Sequence, residues 1–225
     1  MEFDKTIFNY KLSLCNMLFI DFDGVIIDSN LIKENLISKS ISLVDKNNII
    51  NNKAIEYFNK NAGIDRKVKL DKFYKKKTVE KILQYYSRFC NEILTKMEPN
   101  KCLIEFLDYF QNKFQNKPIY ILSGGDKNEI VNFLKYNKIY IYFKDVLASE
   151  KSKFEHLRNL NANSNDIFIG DSNKDLEVAN AFKLNFILME DYKSLESFPT
   201  ELSLKEGLFL RVSNFCSLIE LCKKN

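Results

Sequence analysis

The sequence predicts an α/β protein whose core is a doubly wound parallel sheet, with a small helical domain inserted into it. Two patterns support this prediction. From residue 119 onward, short apolar runs alternate with segments of helical periodicity, which is typical of a parallel sheet covered by helices on both faces. Between residues 30 and 99, helical periodicity replaces the strand pattern. We therefore predict a core domain at residues 1–29 and 100–225 and a helical cap domain at residues 30–99.

The individual elements follow from the positions of the apolar residues. Residues 1–15 give little information and are compatible with part of an edge element, whereas Met17 to Phe22 is the first predicted strand. A long amphipathic helix begins near Val79 and is expected to end by Pro99. The remaining predicted elements are helices at Leu103–Phe110, Asp126–Tyr136, Lys153–Leu160, Lys174–Phe182 and Asn214–Cys222, and strands at Ile119–Leu122, Asp145–Ala148, Ile167–Ile169, Phe186–Met189 and Leu208–Val212.

Composition limits the possible partners. The 225 residues are 45% hydrophobic and 28% charged, as in an ordinary globular protein with room for a core and a smaller insertion. The net charge is +4, and the basic residues are interspersed with nearly as many acidic ones, which gives no basis for predicting a nucleic-acid partner. The densest basic run, residues 66–77, is interpreted as one solvated helix face. Composition does not predict the oligomeric state.

Cysteine usage and hydropathy indicate a location. The five cysteines are an odd number without a CxxC pair, which suggests a reducing compartment. The single histidine, His156, lies within a predicted helix and is interpreted as structural. No stretch is long and apolar enough to span a bilayer, and the apolar run before Asp21 lacks a cleavage site, so we expect no membrane association and a cytoplasmic location.

The first strand ends in two carboxylates. In the segment MLFIDFDGVIIDS, Asp21 and Asp23 follow an apolar run and are themselves followed by Gly24. Residues i and i+2 share one face of a strand, so both acids can lie at the carboxyl edge of the sheet, where α/β proteins bind ligands. A glycine at the next position allows the chain to turn away.

Three further polar sites occur downstream in a fixed order. The predicted strand PIYIL is followed by Ser123, a lysine pair at Lys151 and Lys153 precedes a predicted helix, and the segment DIFIGDSNKD places Asp171 and Asp175 after another strand. Each site follows a strand or begins a helix. Together they indicate one centre that contains several carboxylates, a hydroxyl and an ammonium group.

These segments resemble the four motifs of the haloacid dehalogenase-like hydrolases, most of which are magnesium-dependent phosphatases. DFDGVIIDS is similar to the first motif, Ser123 in ILSGG to the second, Lys153 or Lys151 to the third, and GDSNKD to the fourth. The resemblance covers roughly residues 16–188. A helical cap inserted after the first motif is similar to the arrangement in phosphoglycolate phosphatases and β-phosphoglucomutases.

The resemblance implies roles for the acidic residues. Asp21 is expected to attack phosphorus and form an aspartyl-phosphate. Mg²⁺ is the expected cofactor, with Asp21, the backbone carbonyl of Asp23 and the side chain of Asp171 as its ligands. The side chain of Asp23 is expected to protonate the leaving oxygen and then to activate water. Asp175 is expected to hold metal-bound waters or the lysine from outside the ligand shell.

The remaining expected roles concern the phosphoryl group. Ser123 and the backbone at Gly124 are expected to bind phosphate oxygens. Lys153, which matches the family spacing better, or Lys151 would neutralise the phosphoryl group and Asp21.

The expected partner is a small phosphorylated metabolite. Specificity is expected to reside in the cap, because the core residues address only phosphate and metal. The segment 61–69 joins two helical regions of the cap and could extend over the centre. In that segment Arg66, in preference to Lys69, is our candidate for a second substrate contact, and a solvated basic turn is the alternative.

The leading hypothesis from the sequence is a phosphatase of a sugar, polyol or amino-alcohol phosphate. A phosphomutase would use the same residues, with a second substrate hydroxyl in place of water. A haloacid dehalogenase needs one carboxylate nucleophile and no metal, which would leave Asp23, Asp171 and Asp175 without a purpose. A catalytically silent binding or scaffold protein is the alternative from another class.

Overall fold

The computed structural model describes residues 2–61, 66–115, 117–191 and 207–223. Within these residues, six parallel strands form one sheet in the order β3-β2-β1-β4-β5-β6. The strands are β1 (Leu18–Ile20), β2 (Ile119–Leu122), β3 (Asp145–Leu147), β4 (Ile167–Gly170), β5 (Asn185–Met189) and β6 (Phe209–Val212). The predicted α/β fold with a parallel sheet is therefore confirmed.

Helices precede β1, lie between most of the consecutive strands and follow β6. They are α1 (Glu2–Leu14), α2 (Asn30–Val44), α3 (Asn48–Lys60), α4 (Arg66–Asp71), α5 (Lys76–Leu94), α6 (Leu103–Lys113), α7 (Lys127–Tyr136), α8 (Lys153–Asn159), α9 (Asn173–Phe182) and α10 (Phe215–Lys223), with a short 3₁₀ turn at Tyr140–Tyr142. Every strand and helix predicted from residue 103 onward is present, with its bounds shifted by a few residues at most. None of the helices in the part of the chain that the structure describes is long and apolar enough to cross a membrane.

Strand β1 occupies the middle of the sheet, between β2 and β4. Ile20 lies opposite Ile121 on one side and Ile169 on the other, so the three strands end at the same level. The chain winds in one direction through β2 and β3 and in the other through β4, β5 and β6. Such a reversal leaves a crevice at the carboxyl ends of the strands, where ligands bind in α/β folds.

The sheet is buried on both faces because its strands are almost entirely apolar. Ile20 and Ile169 belong to one large apolar cluster, whereas Phe19, Phe168 and Phe186 belong to a second one. Alternate residues of a strand point to opposite faces, so the two clusters lie on opposite sides of the sheet. This arrangement explains why the strands appear in the sequence as uninterrupted apolar runs.

One feature near the start of the chain differs from the sequence prediction. Residues 2–14 form helix α1, in which Phe8 and Leu12 share one buried face. This helix packs near the end of the chain, where the Asn9 side-chain amide donates to the Leu221 carbonyl at 3.1 Å. Farther along the chain, the predicted long helix is present as α5 and ends at Leu94, before Pro99, with turns after it.

The helical segment, residues 30–99, contains α2, α3, α4 and α5 and contributes no described strand. The buried face of α5 carries residues at helical spacing, which are Val79, Ile82, Tyr86, Phe89, Cys90 and Leu94. This face belongs to the same apolar cluster as one side of the sheet. The division into a core domain and a cap domain stays a prediction.

The prediction of one solvated basic face at residues 66–77 is wrong for its first turns. Lys69 is buried, and its ammonium group donates to the Phe58 carbonyl at 3.2 Å and lies 3.6 Å from the centroid of the Phe58 ring. Arg66 is also mostly covered. A contact 11 residues away in sequence allows the long lysine side chain to be buried, and charge runs do not report such contacts.

Two of the five cysteines are paired, which the sequence spacing did not indicate. Cys102 and Cys216 form a disulfide between residues 114 apart, and it joins the start of α6 to α10. The other cysteines, Cys15, Cys90 and Cys222, are buried thiols. Stable disulfides are rare in the cytosol, so the bond opposes the inference of a reducing compartment. His156 is structural, as predicted, because its Nε2 lies 2.8 Å from the Ala148 carbonyl oxygen.

Candidate active site

Three strand ends bring predicted residues to one edge of the sheet. Asp21 follows β1 directly, and its backbone N–H donates to the Ile169 carbonyl at 2.9 Å. Ser123 follows β2, and Asp171 follows β4. Because these strands are parallel neighbours in register, residues distant in sequence meet at their carboxyl ends.

Asp21, Asp171 and Asp175 form a compact acidic group. Each offers a carboxylate oxygen, these oxygens lie within 4.8 Å of one another, and all three residues are buried. Together with Lys153 we call them the sheet-edge cluster. The predicted convergence of Asp21 and Asp171 is therefore present in the structure.

Lys153 is the lysine that contacts this group. Its ammonium nitrogen lies 2.9 Å from Asp21 Oδ1 and 2.5 Å from Asp175 Oδ1, and its side chain is only 16% exposed. Ser152 caps the helix that Lys153 begins, through a capping box with Glu155. Lys151 lies in the preceding turn and is exposed. The geometry brings Lys153, and not Lys151, to the acids.

Both carboxylate oxygens of Asp175 accept hydrogen bonds from other residues of the protein. Its Oδ1 accepts from Lys153, and its Oδ2 accepts from the Ser172 hydroxyl at 2.6 Å as part of the capping box of α9. Gly170 permits this position, because a Cβ there would lie only 2.6 Å from the Cβ of Asp175. Asp175 therefore fixes Lys153 relative to the acidic group.

The sheet-edge cluster carries excess negative charge. Burial raises the pKa of Asp21 to about 7, with contributions from the neighbouring Asp175 and Asp23, and Lys153 offsets only part of this effect. Burial and the charges of Asp175 and Asp21 also raise the pKa of Asp171 well above its usual range. Without another cation, the cluster disfavours ionisation of these carboxylates.

A divalent metal ion fits these residues. Asp21 and Asp171 offer carboxylate oxygens, which are the donors that Mg²⁺ prefers, and a cation would relieve the repulsion that raises both pKa values. Gly24 lets Asp171 reach this position, because a Cβ on Gly24 would lie 2.1 Å from Asp171 Oδ2. The Asn30 amide donates to the same oxygen at 2.9 Å.

Asp23 lies in a different environment, in the segment between β1 and the turn at residues 24–26. Its Oδ1 accepts from the Ser29 hydroxyl and pairs with the Lys33 ammonium, both at 2.5 Å. Burial alone would raise its pKa, but the charge of Lys33, the hydrogen bonds from Lys33 and Ser29, and the charge of Arg66 together lower it. Asp23 is thus held as a carboxylate at the boundary between the sheet edge and the helical segment.

The loop after β2 has the features expected of an anion site. The Ser123 hydroxyl is buried and accepts from the Gly125 N–H at 3.0 Å. Gly124 is exposed, and a Cβ there would meet nothing within 4 Å, so the backbone faces open space. A Cβ on Gly125 would lie 3.6 Å from Asp23 Oδ2, which shows that this loop lies beside Asp23.

Arg66 begins helix α4 and reaches the core through Glu129 of helix α7. Its Nη1 lies 3.3 Å from Glu129 Oε1, and its guanidinium lies 4.8 Å from the centroid of the Tyr86 ring. We call Asp23, Lys33, Arg66 and Glu129 the interface cluster, because they join the sheet edge to the helical segment. Residues 62–65 of the predicted 61–69 loop lie outside the described residues.

The residues that sequence reasoning missed are mainly partners of the predicted ones: Ser29, Asn30, Lys33, Glu129 and Ser172. Ser172 could have been found, because Ser followed three residues later by Asp is a capping-box pattern. Lys33 lies one helical turn after Ser29, which places both on the face next to Asp23. Glu129 resembles an ordinary first-turn acid, and its pattern gave no signal.

Comparison with known proteins identifies the family and the fold. A family model described as haloacid dehalogenase-like hydrolase matches residues 18–189. A search of curated proteins gives no match.

Several solved structures share the fold. A predicted phosphoglycolate phosphatase from Haemophilus somnus is 12% identical, with a TM-score of 0.67 over 93% of this chain and 99% of that one. CbbY from Rhodobacter sphaeroides in complex with xylulose-(1,5)bisphosphate is 12% identical, with a TM-score of 0.67 over 91% and 96%. A β-phosphoglucomutase from Clostridium difficile is 20% identical, with a TM-score of 0.64 over 92% and 96%. At these identities the likeness concerns the fold.

Proposed function

The chain belongs to the family of haloacid dehalogenase-like hydrolases, and from this premise we propose that it is a magnesium-dependent phosphatase. The substrate would be a small phosphate monoester of the sugar, polyol or amino-alcohol type, hydrolysed through an aspartyl-phosphate on Asp21. The observation that carries this proposal is the convergence of Asp21, Asp171, Asp175 and Lys153 at one end of the sheet.

Magnesium is the proposed cofactor. Asp21, the backbone carbonyl of Asp23 and the side chain of Asp171 would hold it. When bound, Mg²⁺ supplies positive charge that lets an anionic phosphate approach the carboxylates.

Asp21 and Asp23 would carry out the chemistry in two steps. A carboxylate oxygen of Asp21 attacks phosphorus, the bond from phosphorus to the leaving oxygen breaks, and Asp23 gives that oxygen a proton. Asp23 then takes a proton from water, the water oxygen attacks phosphorus, and the bond from phosphorus to Asp21 breaks. One residue serves both steps because each step leaves it in the protonation state that the other requires.

Other residues of the site would position the phosphoryl group. Lys153, fixed by Asp175, provides a positive charge beside Asp21. The Ser123 hydroxyl and the backbone at Gly124 lie in the loop that we propose binds phosphate oxygens. Asp175 would act as a positioning residue through its contact with the lysine.

The helical segment would serve as a cap over this site. Its proposed contact with the substrate is Arg66, which already reaches the core through Glu129. The core residues address phosphate and metal alone, so the contacts that distinguish one substrate from another would come from the boundary with this segment.

We also propose that the enzyme acts in the cytoplasm, where small phosphorylated metabolites are produced. The Cys102–Cys216 disulfide opposes this proposal, because stable disulfides are rare in the cytosol, and it also makes the proposal testable. Mass spectrometry of protein alkylated inside cells should find both cysteines modified as free thiols, because the cytosol keeps thiols reduced. Recovery of the intact disulfide from the cells would favour an oxidising compartment.

Hydrolysis of p-nitrophenyl phosphate in the presence of Mg²⁺ tests the function. The wild-type enzyme should release phosphate, and Asp21→Asn should lose about 10³-fold or more in kcat because the nucleophile is gone. Asp28→Asn is a matched control, since Asp28 lies in the same segment but is exposed. Retained activity in Asp21→Asn would contradict the assignment.

A phosphomutase is the second candidate, favoured by the fold shared with a β-phosphoglucomutase structure. The two activities differ in what accepts the phosphoryl group from Asp21. Phosphorus NMR of sugar phosphates incubated with the enzyme separates them. A phosphatase accumulates inorganic phosphate, whereas a mutase converts one phosphate ester into its isomer.

A further inference from the structure

Glu129 is a buried carboxylate with one oxygen that has no hydrogen-bond partner. The residue is 2% exposed and lies in the first turn of α7. Its Oε1 interacts with Arg66 Nη1 at 3.3 Å and with the Ser87 hydroxyl at 3.4 Å. Its Oε2 is buried and, among the described residues, accepts no hydrogen bond. A buried, unpaired carboxylate oxygen is costly, so a donor from a ligand would be favoured there.

Glu129 lies near the region that the leaving group of the substrate would occupy. Four residues earlier, in the loop before α7, a Cβ on Gly125 would lie 3.6 Å from Asp23 Oδ2. On the other side, Arg66 joins Glu129 to the helical segment and covers the Tyr86 ring. Asp23 is the proposed proton donor to the leaving oxygen, so the leaving group must extend from Asp23 into this boundary. Glu129 therefore lies where the far end of a leaving group would be recognised.

The charges at this boundary are balanced. Lys33 pairs with Asp23 at 2.5 Å, and Arg66 pairs with Glu129. An anionic leaving group would have to displace one of these pairs and would also meet the carboxylate of Glu129. A leaving group that donates a hydrogen bond need not displace either pair, because Glu129 Oε2 has no donor among the described residues and can accept that bond.

We propose that Glu129 selects the substrate by accepting a hydrogen bond from a hydroxyl or ammonium group on the leaving group. Esters whose leaving group ends in a carboxylate or a second phosphate are then poor substrates. This inference rests on the proposed phosphatase function and narrows its substrate class. It also gives Glu129 a role in specificity, separate from its contact with Arg66.

Three esters with the same two-carbon frame test the inference: hydroxyethyl phosphate, phosphoethanolamine and phosphoglycolate. Their leaving groups end in a hydroxyl, an ammonium and a carboxylate. Wild-type kcat/KM for the better of the two donor-bearing esters should exceed that for phosphoglycolate by about 10-fold or more, the effect of one charge-assisted hydrogen bond. The ester that is hydrolysed faster distinguishes a hydroxyl from an ammonium ligand.

Glu129→Gln keeps the shape of the side chain but removes its charge. This variant should reduce the preference over phosphoglycolate to about 3-fold or less, with the larger loss on phosphoethanolamine if the ammonium is the ligand. Glu105→Gln is the matched control, because Glu105 is an exposed glutamate that pairs with Lys223 on α10 and should leave the ratio unchanged. A change in this ratio would not follow from a purely structural role of Glu129.

The outcomes separate the two levels of inference. If the wild-type enzyme hydrolyses p-nitrophenyl phosphate but prefers phosphoglycolate, the inference about Glu129 fails and the proposed phosphatase function stands. The same holds if folded Glu129→Gln keeps the wild-type ratio. If the wild-type enzyme hydrolyses p-nitrophenyl phosphate but none of the three esters, only the inference about Glu129 fails. If it hydrolyses neither p-nitrophenyl phosphate nor the three esters, both fail. The wild-type ratio needs no variant, so misfolding of Glu129→Gln leaves the first test intact.

Discussion

The sheet-edge cluster and the interface cluster lie side by side but differ in charge. In the described part of the chain, the first sets three buried carboxylates against one lysine, whereas the second sets two carboxylates against two cationic side chains. The first cluster therefore needs an added cation, and the second does not. A cluster with excess carboxylates is suited to binding a metal ion, which in turn offsets the charge of a phosphate. A balanced cluster that contains the unpaired Oε2 of Glu129 is suited to recognising a hydrogen-bond donor.

Two aspartates on the same segment illustrate this difference. The pKa of Asp21 is raised to about 7 by burial and by neighbouring acids, whereas the pKa of Asp23 is lowered because Lys33, Ser29 and Arg66 outweigh its burial. Two residues of separation thus place one carboxylate among acids and the other among cations. Opposite shifts of this kind are how neighbouring carboxylates acquire different roles.

After the loss of the nucleophile in Asp21→Asn, the largest expected effect comes from the lysine of the sheet-edge cluster. Lys153→Met should lower kcat by about 10²–10³-fold, because it removes the charge that faces the phosphoryl group. It should also destabilise the metal-free protein by about 3–5 kcal/mol, since Asp21 and Asp175 lose their buried partner. Steady-state phosphate release and urea unfolding measure the two effects.

Lys151→Met is the matched control for this experiment. Lys151 is two residues away and exposed, so its replacement should leave kcat within about 2-fold and stability within about 0.5 kcal/mol of the wild-type values. If the two variants behaved alike, the assignment of Lys153 would be wrong.

The charge imbalance also predicts how stability depends on pH and metal. The folded-state pKa of Asp21 is about 7, above the ~4 of an unfolded carboxyl group, so the native state binds more protons between these values. Its contribution therefore lowers the stability of the metal-free protein as the pH rises from about 4 to about 7. Calorimetry in EDTA should show that the difference in Tm between Asp21→Asn and wild type grows over this range.

Adding Mg²⁺ should reverse this penalty in the wild-type protein. Above pH 7 the metal should raise Tm, because it binds carboxylates of the native state alone. Asp171→Asn should abolish most of this rise, whereas Asp145→Asn, a change at a half-exposed side chain on β3, should leave it intact. An equal rise in Tm in wild type and Asp171→Asn would show that magnesium does not bind at the sheet-edge cluster.

A smaller effect is expected from the interface cluster. Lys33→Met removes the main cause of the lowered pKa of Asp23, so that pKa should rise. Asp23 must be protonated to act as the acid, so the basic limb of the kcat/KM profile should move to higher pH. The shift should be clear with an alkyl phosphate and weaker with p-nitrophenyl phosphate, whose leaving group needs less protonation.

Lys53→Met, at an exposed position on α3, is the control for this measurement. Its pH profile should match that of the wild-type enzyme. If the basic limb of the pH profile did not move in Lys33→Met, Lys33 would not be the residue that lowers the pKa of Asp23.

The smallest effect on activity is expected from the disulfide, which lies outside both clusters. Cys216→Ser opens a link between residues 114 apart and should cost about 4–5 kcal/mol of stability by the loop-entropy relation. At temperatures where the protein stays folded, kcat should not change. Reduced kcat at full folding would show that the bond also supports the active site.

The sequence predicted most of the fold because the sheet is buried on both faces. Strands such as β4 and β5 appear in the sequence as apolar runs. The positions of the acids that follow strands could be predicted from one rule, that parallel strands end at the same edge of the sheet. Asp21, Asp171 and Lys153 converge for that reason. Helix α1 was missed, because its buried residues Phe8 and Leu12 give only a short pattern without a capping signal.

Contacts between distant side chains could not be predicted. Glu129 contacts Arg66, which is 63 residues away in sequence, and Cys102 is bonded to Cys216, which is 114 residues away. No local sequence pattern predicts contacts at such separations. Lys69 belonged to a charge run and was assigned to solvent, yet it packs on Phe58. Such pairs depend on how the helical segment is placed on the sheet, and periodicity within one helix does not report that placement.

The central claim is that Asp21 and Asp171 share one divalent cation. Anomalous diffraction from crystals grown with Mn²⁺, which takes the same oxygen ligands as Mg²⁺, tests it directly. We expect a single strong peak within about 2.5 Å of an oxygen of Asp21 and an oxygen of Asp171, and its loss in Asp171→Asn. An active enzyme whose manganese peak lies elsewhere, or whose two carboxylates remain without a cation, would contradict the claim.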